Sequence, residues 1–343
     1  MNYMNKTVTV ILLLFVIAST CFAGGGNRTG TGGAAQLLIP VGSRGIAMSG
    51  SGIATASDIE AIYWNPAGLA KAEFGTNVTF SHMNYIADIG VEHGAISSNI
   101  EGFGALAFDI KSISVGDIPV TTNQYPDGTG KTFAPSFITA GLTFSKALTD
   151  RVAVGGTVNV ITETLGDVSA AGVGFNIGLM YDRLAEIDGL SFGIAMKNLG
   201  PSMRYGGSGL NIQATGSGLN RPPTEFKIES AAFELPSTFE IGFGYKAYSD
   251  NVNSLQLAAS FQNNNFSGDE YKLGLEYSFQ KMFFVRGGYD TSPKSQSDEF
   301  IYGFSAGAGI NYSTQGLGIE INYAYRDVKF FTGNHVFEVK LGF

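Results

Sequence analysis

Phe337-Glu338-Val339-Lys340-Leu341-Gly342-Phe343 ends the chain, and its side chains alternate in kind at every step. Phe337, Val339, Leu341 and Phe343 fall on one face; Glu338, Lys340 and Gly342 fall on the other. A period of two marks a β-strand with two unlike faces. The pattern recurs upstream. Over 271–279, Tyr271, Leu273, Leu275, Tyr277 and Phe279 oppose Lys272, Gly274, Glu276 and Ser278. Over 239–247, Phe239, Ile241, Phe243 and Tyr245 oppose Glu240, Gly242, Gly244 and Lys246. Strands of about nine to eleven residues with aromatic ends are long enough, when tilted, to cross a bilayer.

From residue 75 on, alternation and turn residues predict fourteen strands, near 75–83, 90–98, 102–111, 135–146, 150–162, 172–183, 189–199, 236–247, 252–262, 269–280, 281–290, 299–312, 315–326 and 334–343. An even number fits a single-chain bacterial barrel. The connections after even strands are tight, as at Glu101-Gly102 and Thr149-Asp150, whereas most after odd strands are longer, notably 112–134 and 200–235. Outer-membrane barrels sort their loops in this way, with short periplasmic turns and long outer loops; a soluble sandwich has no reason to. The expected fold is therefore all-β: a closed antiparallel transmembrane β-barrel of about 14 strands.

The start of the chain agrees. Lys6 precedes an apolar run from Val8 to Ala18 and small residues up to Ala23, which reads as a secretory signal peptide over 1–23. Thr20 before Cys21 is a poor fit to a lipoprotein signal. No later apolar run reaches the length of a spanning helix. The expected division is signal peptide 1–23, an N-terminal hatch or plug over 24–74, and the barrel over 75–343, placed in the bacterial outer membrane against its lipid. The one cysteine, Cys21, leaves with the signal, so no disulfide or metal thiolate is expected. A net charge of −8 without a basic cluster argues against nucleic acid as a partner.

Energetics decides which face is which. A lysine or arginine facing lipid at the bilayer midplane costs about 2–4 kcal/mol. Lys246, Lys272, Glu276 and Arg286 fall on the non-apolar faces of their strands, as do Glu320, Arg326, Glu338 and Lys340. All eight are expected to line the lumen as mixed-sign groups that solvate and pack an interior.

Residues 34–74 do not alternate. Ser57 or Asp58 is placed to cap a short helix through Tyr63, and Asn65-Pro66 reads as a second start, an N-cap followed by proline at the first helical position. A short helical piece with no core of its own must dock on something, and the lumen is the available site. The segment Gly42-Ser43-Arg44-Gly45-Ile46-Ala47-Met48-Ser49-Gly50, leading to Ala61-Ile62-Tyr63-Trp64-Asn65-Pro66-Ala67-Gly68-Leu69-Ala70, resembles the N-terminal signature of the PorV/PorQ family of outer-membrane barrels associated with type IX secretion. The Asn-Pro-Ala-Gly core is shared with the wider class of FadL-type transporters. The resemblance implies a fourteen-stranded barrel with a luminal hatch. It also implies one of two functions: a platform or shuttle for exported proteins and type IX secretion components, or a transporter of hydrophobic small molecules. Within it Gly42, Arg44, Gly45, Met48 and Gly50, with Trp64, Asn65, Pro66 and Gly68, are the candidates for hatch architecture, ligand contact or gating.

Catalytic chemistry is not in view. Gly130-Lys131-Thr132 looks like the end of a phosphate-binding loop, but Tyr125 stands where the first glycine belongs. Gly303-Phe304-Ser305-Ala306-Gly307 has the Gly-x-Ser-x-Gly spacing but falls inside the expected strand 299–312, not at the strand-to-helix turn that a nucleophile elbow needs. His82, His93 and His335 are scattered and lack partners at ligand spacing, so no metal, cofactor or enzyme activity is expected. The loop 200–235 is the candidate for partner contact, through Met203, Tyr205, Leu210, Ile212 and Phe226.

Overall fold

The computed structural model describes residues 32–214, 222–293, 300–314 and 316–343. The expected signal peptide and the first residues of the expected hatch lie outside them. Fourteen antiparallel strands close into one barrel. They are β1 (Thr76–Asn84), β2 (Gly90–Ile100), β3 (Gly104–Ser114), β4 (Ser136–Ala147), β5 (Val152–Leu165), β6 (Val168–Asp182) and β7 (Leu190–Leu199), then β8 (Thr238–Ser249), β9 (Asn253–Asn264), β10 (Glu270–Phe279), β11 (Phe283–Thr291), β12 (Tyr302–Thr314), β13 (Leu317–Val328) and β14 (Asn334–Gly342). Each pairs with its chain neighbour, and β1 pairs with β14 to close the ring, from Asn77 opposite Gly342 to Asn84 opposite His335. Phe343 and Thr76 exchange backbone hydrogen bonds of 2.8 and 3.0 Å at the seam. Closure leaves no strand edge unpaired in hydrocarbon.

The alternation has the expected sense. Phe80, Leu142, Ile310 and Ile321 point away from the barrel axis and stand more than half exposed, as lipid-facing side chains do. Their strand neighbours Thr79, Thr143 and Asn322 are buried inside. The longest strands depart from expectation. β5 and β6 were expected to stop at 162 and resume at 172; instead they join at the two-residue turn Gly166-Asp167, where Gly166 supplies a φ of +58°. Their upper ends rise beside the long loop, and Ser169 pairs with Gly206 of that loop.

The N-terminal segment fills the lumen through short turns: α1 (Ser43–Ala47), α2 (Ala61–Trp64) and 3-10 turns at Ala35–Leu38, Gly52–Ala54, Asp58–Glu60 and Pro66–Lys71. Asn65 caps the last turn as predicted, its side chain accepting from Ala67 N at 3.2 Å with Pro66 at the first position. The expected Ser57 or Asp58 cap is not made: Ser57 offers no side-chain bond, and Asp58 enters its turn with a φ of +61°.

The wall is moulded to this hatch by inward glycines. A Cβ on Gly193 would lie 2.8 Å from Ile53 O, and one on Gly307 would lie 2.6 Å from Ala47 Cβ. Gly155, Gly178 and Gly274 would likewise run into Pro66, Asn65 and Ser51. Hatch atoms, backbone at Gly155 and Gly193 and side chain first at the others, come to the wall at a distance only glycine allows.

Candidate functional site: the hatch clamp and the outer cavity

Seven charged groups clamp the hatch to the wall. Arg44 of α1 makes a two-pronged contact with Glu276 of β10, at 2.8 and 3.0 Å. Arg286 of β11 approaches the same carboxylate at 2.6 Å and bonds Asn322 at 2.7 Å. Lys340 of β14 pairs with Glu60 of the hatch at 2.9 Å and lies 3.8 Å from Glu320. Ser43 donates from its amide and hydroxyl to Glu338. Buried charges of this kind are tolerable only when paired and hydrogen-bonded. Burial alone would push the Glu60 carboxyl up, but Lys340 and Arg44 outweigh it and hold it below the usual carboxylate range. Asp58, also in the hatch, is pushed up by burial.

Uncharged contacts complete the clamp. Asn65 is fully buried and donates to Ile53 O at 2.9 Å and to Leu179 O of β6 at 3.2 Å, so it ties two parts of the hatch and the wall together. Met48, with no exposure, packs over Gly274 and Gly288, and the Ser49 hydroxyl meets that of Ser305 on β12. Trp64 packs on Gly45 and Gly50, and Gly68 passes against Ala56 and Ala61. Gly42, beside Glu60, and Gly50 hold φ values of +84° and +74°. Every hatch candidate thus lies in the packing of the segment.

Above the hatch, toward the long-loop end, is a cavity of about 390 Å³. One side is apolar: the strap Leu37 to Val41, then Ile62, Tyr63 and Trp64. The opposing strand wall is polar, including His93, Asp109, Lys111, Lys197, Glu240 and Lys272. Tyr85, Phe300 and Tyr302 stand at the rim. Lys197 pairs with Glu240 at 2.5 Å, Lys272 with Glu270 at 2.8 Å and Arg326 with Asp290 at 3.2 Å. Lys111 instead donates to the strap carbonyls of Gln36 and Ile39, each at 3.0 Å. The Lys111 and Lys197 ammonium groups lie 5.3 and 4.9 Å from the centre of the Tyr63 ring. Burial raises the Tyr63 hydroxyl well above its ordinary range, so it is a donor here; it reaches Leu38 O at 3.2 Å.

Seven of the eight expected lumen residues have their place in these two groups: Glu276, Arg286, Glu320, Glu338 and Lys340 in the clamp, Lys272 and Arg326 at the cavity. Lys246 is the exception. It lies at the far end of β8, beyond the hatch and beside a register shift, and is exposed. Expectation missed Glu60, Asp109, Lys111, Lys197 and Glu240. The last four carry the same signal as the rest, a polar position alternating with apolar ones such as Phe108 and Ile110. Although β1, β2 and β14 are neighbours, the histidines do not converge. His93 is buried inside, while His82 bonds Glu92 and His335 bonds Tyr323 on the other face. Among the described residues no three His, Cys, Asp or Glu side chains form a metal site.

Residues 23–242 match the family model described as "Type IX secretion system protein PorV". The chain belongs to the PorV family. No curated protein matches this PorV-family chain by sequence. Among solved structures it is similar to a Pseudomonas aeruginosa FadL homologue, at 14% identity over 88% of this chain and 98% of that one, with a TM-score of 0.51. It is similar to the Ralstonia pickettii toluene transporter TbuX at 13% identity, over 89% and 99% of the two chains, with a TM-score of 0.54. The Pseudomonas putida toluene transporter TodX gives 12% identity, 89% and 97% coverage, and a TM-score of 0.54. At these identities the likeness is one of fold: this PorV-family protein is an integral outer-membrane barrel of FadL-like architecture.

The long loop of the PorV-family barrel does two things. Its base is internal. Met203, expected at a partner surface, is instead 1% exposed among Leu37, Ile161, Ala170 and Leu235. Tyr205 is also turned inward, where its hydroxyl donates to Glu163, a carboxylate that accepts from Gln36 of the strap at 2.7 Å. Its outer part is a small hairpin pairing Asn211–Ala214 with Thr224–Lys227. There Ile212 and Phe226 are exposed, Leu210 is half-buried, and Leu219 lies outside the described residues.

Proposed function

We propose that this barrel takes up hydrophobic small molecules bearing a polar end from the outer side of the membrane. The observation that carries this reading is the cavity above the hatch, apolar along the strap and polar along the strand wall. Its size lies within the range of about 300–1,000 Å³ common for small-molecule sites. The FadL-like fold supports it, since the two solved relatives named above as toluene transporters share the architecture. Passage beyond the cavity then requires the hatch to give way, against the glycine-lined contacts and the ion-pair clamp.

Locking the hatch tests this. The hydroxyls of Ser49 and Ser305 touch, so cysteines at both positions are well placed for a disulfide between the hatch and β12. With the pair oxidised, barrel-dependent uptake of labelled octanol, an apolar chain with a polar end, is expected to stop, and to return on reduction. Unchanged uptake with the crosslink verified by mass spectrometry would sink the idea.

A second reading has its own observation. The family model names a type IX secretion protein, and Ile212 and Phe226, both exposed, pair across the outer hairpin as an apolar patch. In this reading the barrel is a membrane-held platform, and the hairpin receives exported proteins or secretion components.

A further inference from the structure

We infer that the polar end of the molecule held in the outer cavity is an uncharged, hydroxyl-rich group: a sugar or polyol carried on an apolar body. The inference rests on the cavity being a small-molecule site. The cations at the cavity are engaged already. Lys111 is held by two strap carbonyls, Lys197 by Glu240, Lys272 by Glu270 and Arg326 by Asp290. The lysines each keep an unused N–H, but a carboxylate or phosphate reaching one would meet Asp109, Glu240 and Glu270 in the same space and add a further buried negative charge beside them.

A plain hydrocarbon fails for the opposite reason. Asp109 Oδ1 and Glu240 Oε2 are buried acceptors without a hydrogen-bond partner, and Arg326 Nε is a buried donor without one. Both ring nitrogens of His93, 4% exposed, also lack a hydrogen-bond partner, Nε2 lying 3.7 Å from Asp109 Oδ2. All four side chains line the cavity and are at least nine-tenths buried. Covering them with hydrocarbon leaves each unsatisfied, at about 1–3 kcal/mol apiece. A hydroxyl donates one hydrogen bond and accepts others, so several on one ring can serve orphaned acceptors and donors together. The apolar strap and the Tyr63 and Trp64 rings supply the surface for the remainder of the molecule.

Trp64 is the only tryptophan in the chain and lines this cavity, so its fluorescence reports on the hatch wall of the site. The full-length barrel, reconstituted in phosphatidylcholine vesicles, is titrated with octyl glucoside below its micellar concentration, with octanoate and with toluene. Octyl glucoside and octanoate carry similar chains and differ in the head. Octyl glucoside is expected to shift Trp64 emission at a concentration at least about ten-fold lower than octanoate does. The Asp109→Ala variant is expected to lose about ten-fold in glucoside affinity, in line with one lost hydrogen bond to a charged group. If that variant does not fold, as judged by heat-modifiable gel mobility, Asp109→Asn replaces it, with a smaller loss expected. Octanoate or toluene acting at lower concentration than the glucoside would overturn the hydroxylated head and leave the small-molecule reading standing. No response of Trp64 to any of the three would overturn both.

Discussion

Glu276 is the residue on which the clamp turns. Its two oxygens are shared between Arg44 of the hatch and Arg286 of the wall, and its side chain is only 10% exposed. Neutralising it would leave Arg44 without its paired carboxylate and Arg286 with only Glu320, 3.5 Å away, and breaking a buried pair from one side typically costs about 3–5 kcal/mol. The Glu276→Gln variant should therefore unfold at clearly lower urea, with the loss concentrated in the step that frees the hatch. Trp64 emission follows that step. An unchanged midpoint would show that Arg44 is held to the wall well enough by Gln256 alone. Little of this pairing was legible in the sequence. Arg44 and Glu276 both stood out, one in the hatch motif and one on a polar strand face. Their meeting, across 232 positions, depends on how the hatch sits in the ring. Glu60 gave no signal at all, because a carboxylate in a short turn looks solvent-exposed until the lumen closes round it.

At the scale of elements, the strands were the readable part. Lipid and lumen impose opposite demands on successive side chains, so each of the fourteen strands carries its own record of which way it faces. The Asn65-Pro66 start was readable too, because capping chemistry is local. The inward glycines were not: a strand glycine looks the same whether or not a hatch backbone presses against it. Nor was the split within the long loop, since an apolar residue packed inward and one displayed outward are alike in sequence. Met203 and Tyr205 belong to the first kind, Ile212 and Phe226 to the second. Replacing 211–227 with a short Gly-Ser link should thus leave the barrel heat-modifiable and folded, because the cluster around Met203 and Glu163 is untouched. If the platform reading holds, the same change should abolish capture of secretion components. Normal capture by the trimmed protein would remove the hairpin from the account.

For the whole molecule, the fold joins a hatch packed into the lumen to a cavity on the long-loop side. The strap that walls the cavity also lies under the long loop: Gly33 donates to Glu234 O at 3.3 Å and packs on Phe233, while Gln36 reaches Glu163. Cavity and loop therefore share one short segment of chain. The most direct test of the uptake account is mass spectrometry of both proteins and lipids after gentle detergent extraction of the native barrel from its own membranes. The account predicts a barrel carrying one enriched amphipathic small molecule. A barrel with no enriched small molecule, recovered in near-equal amounts with exported proteins or secretion components, would contradict it and establish the platform in its place.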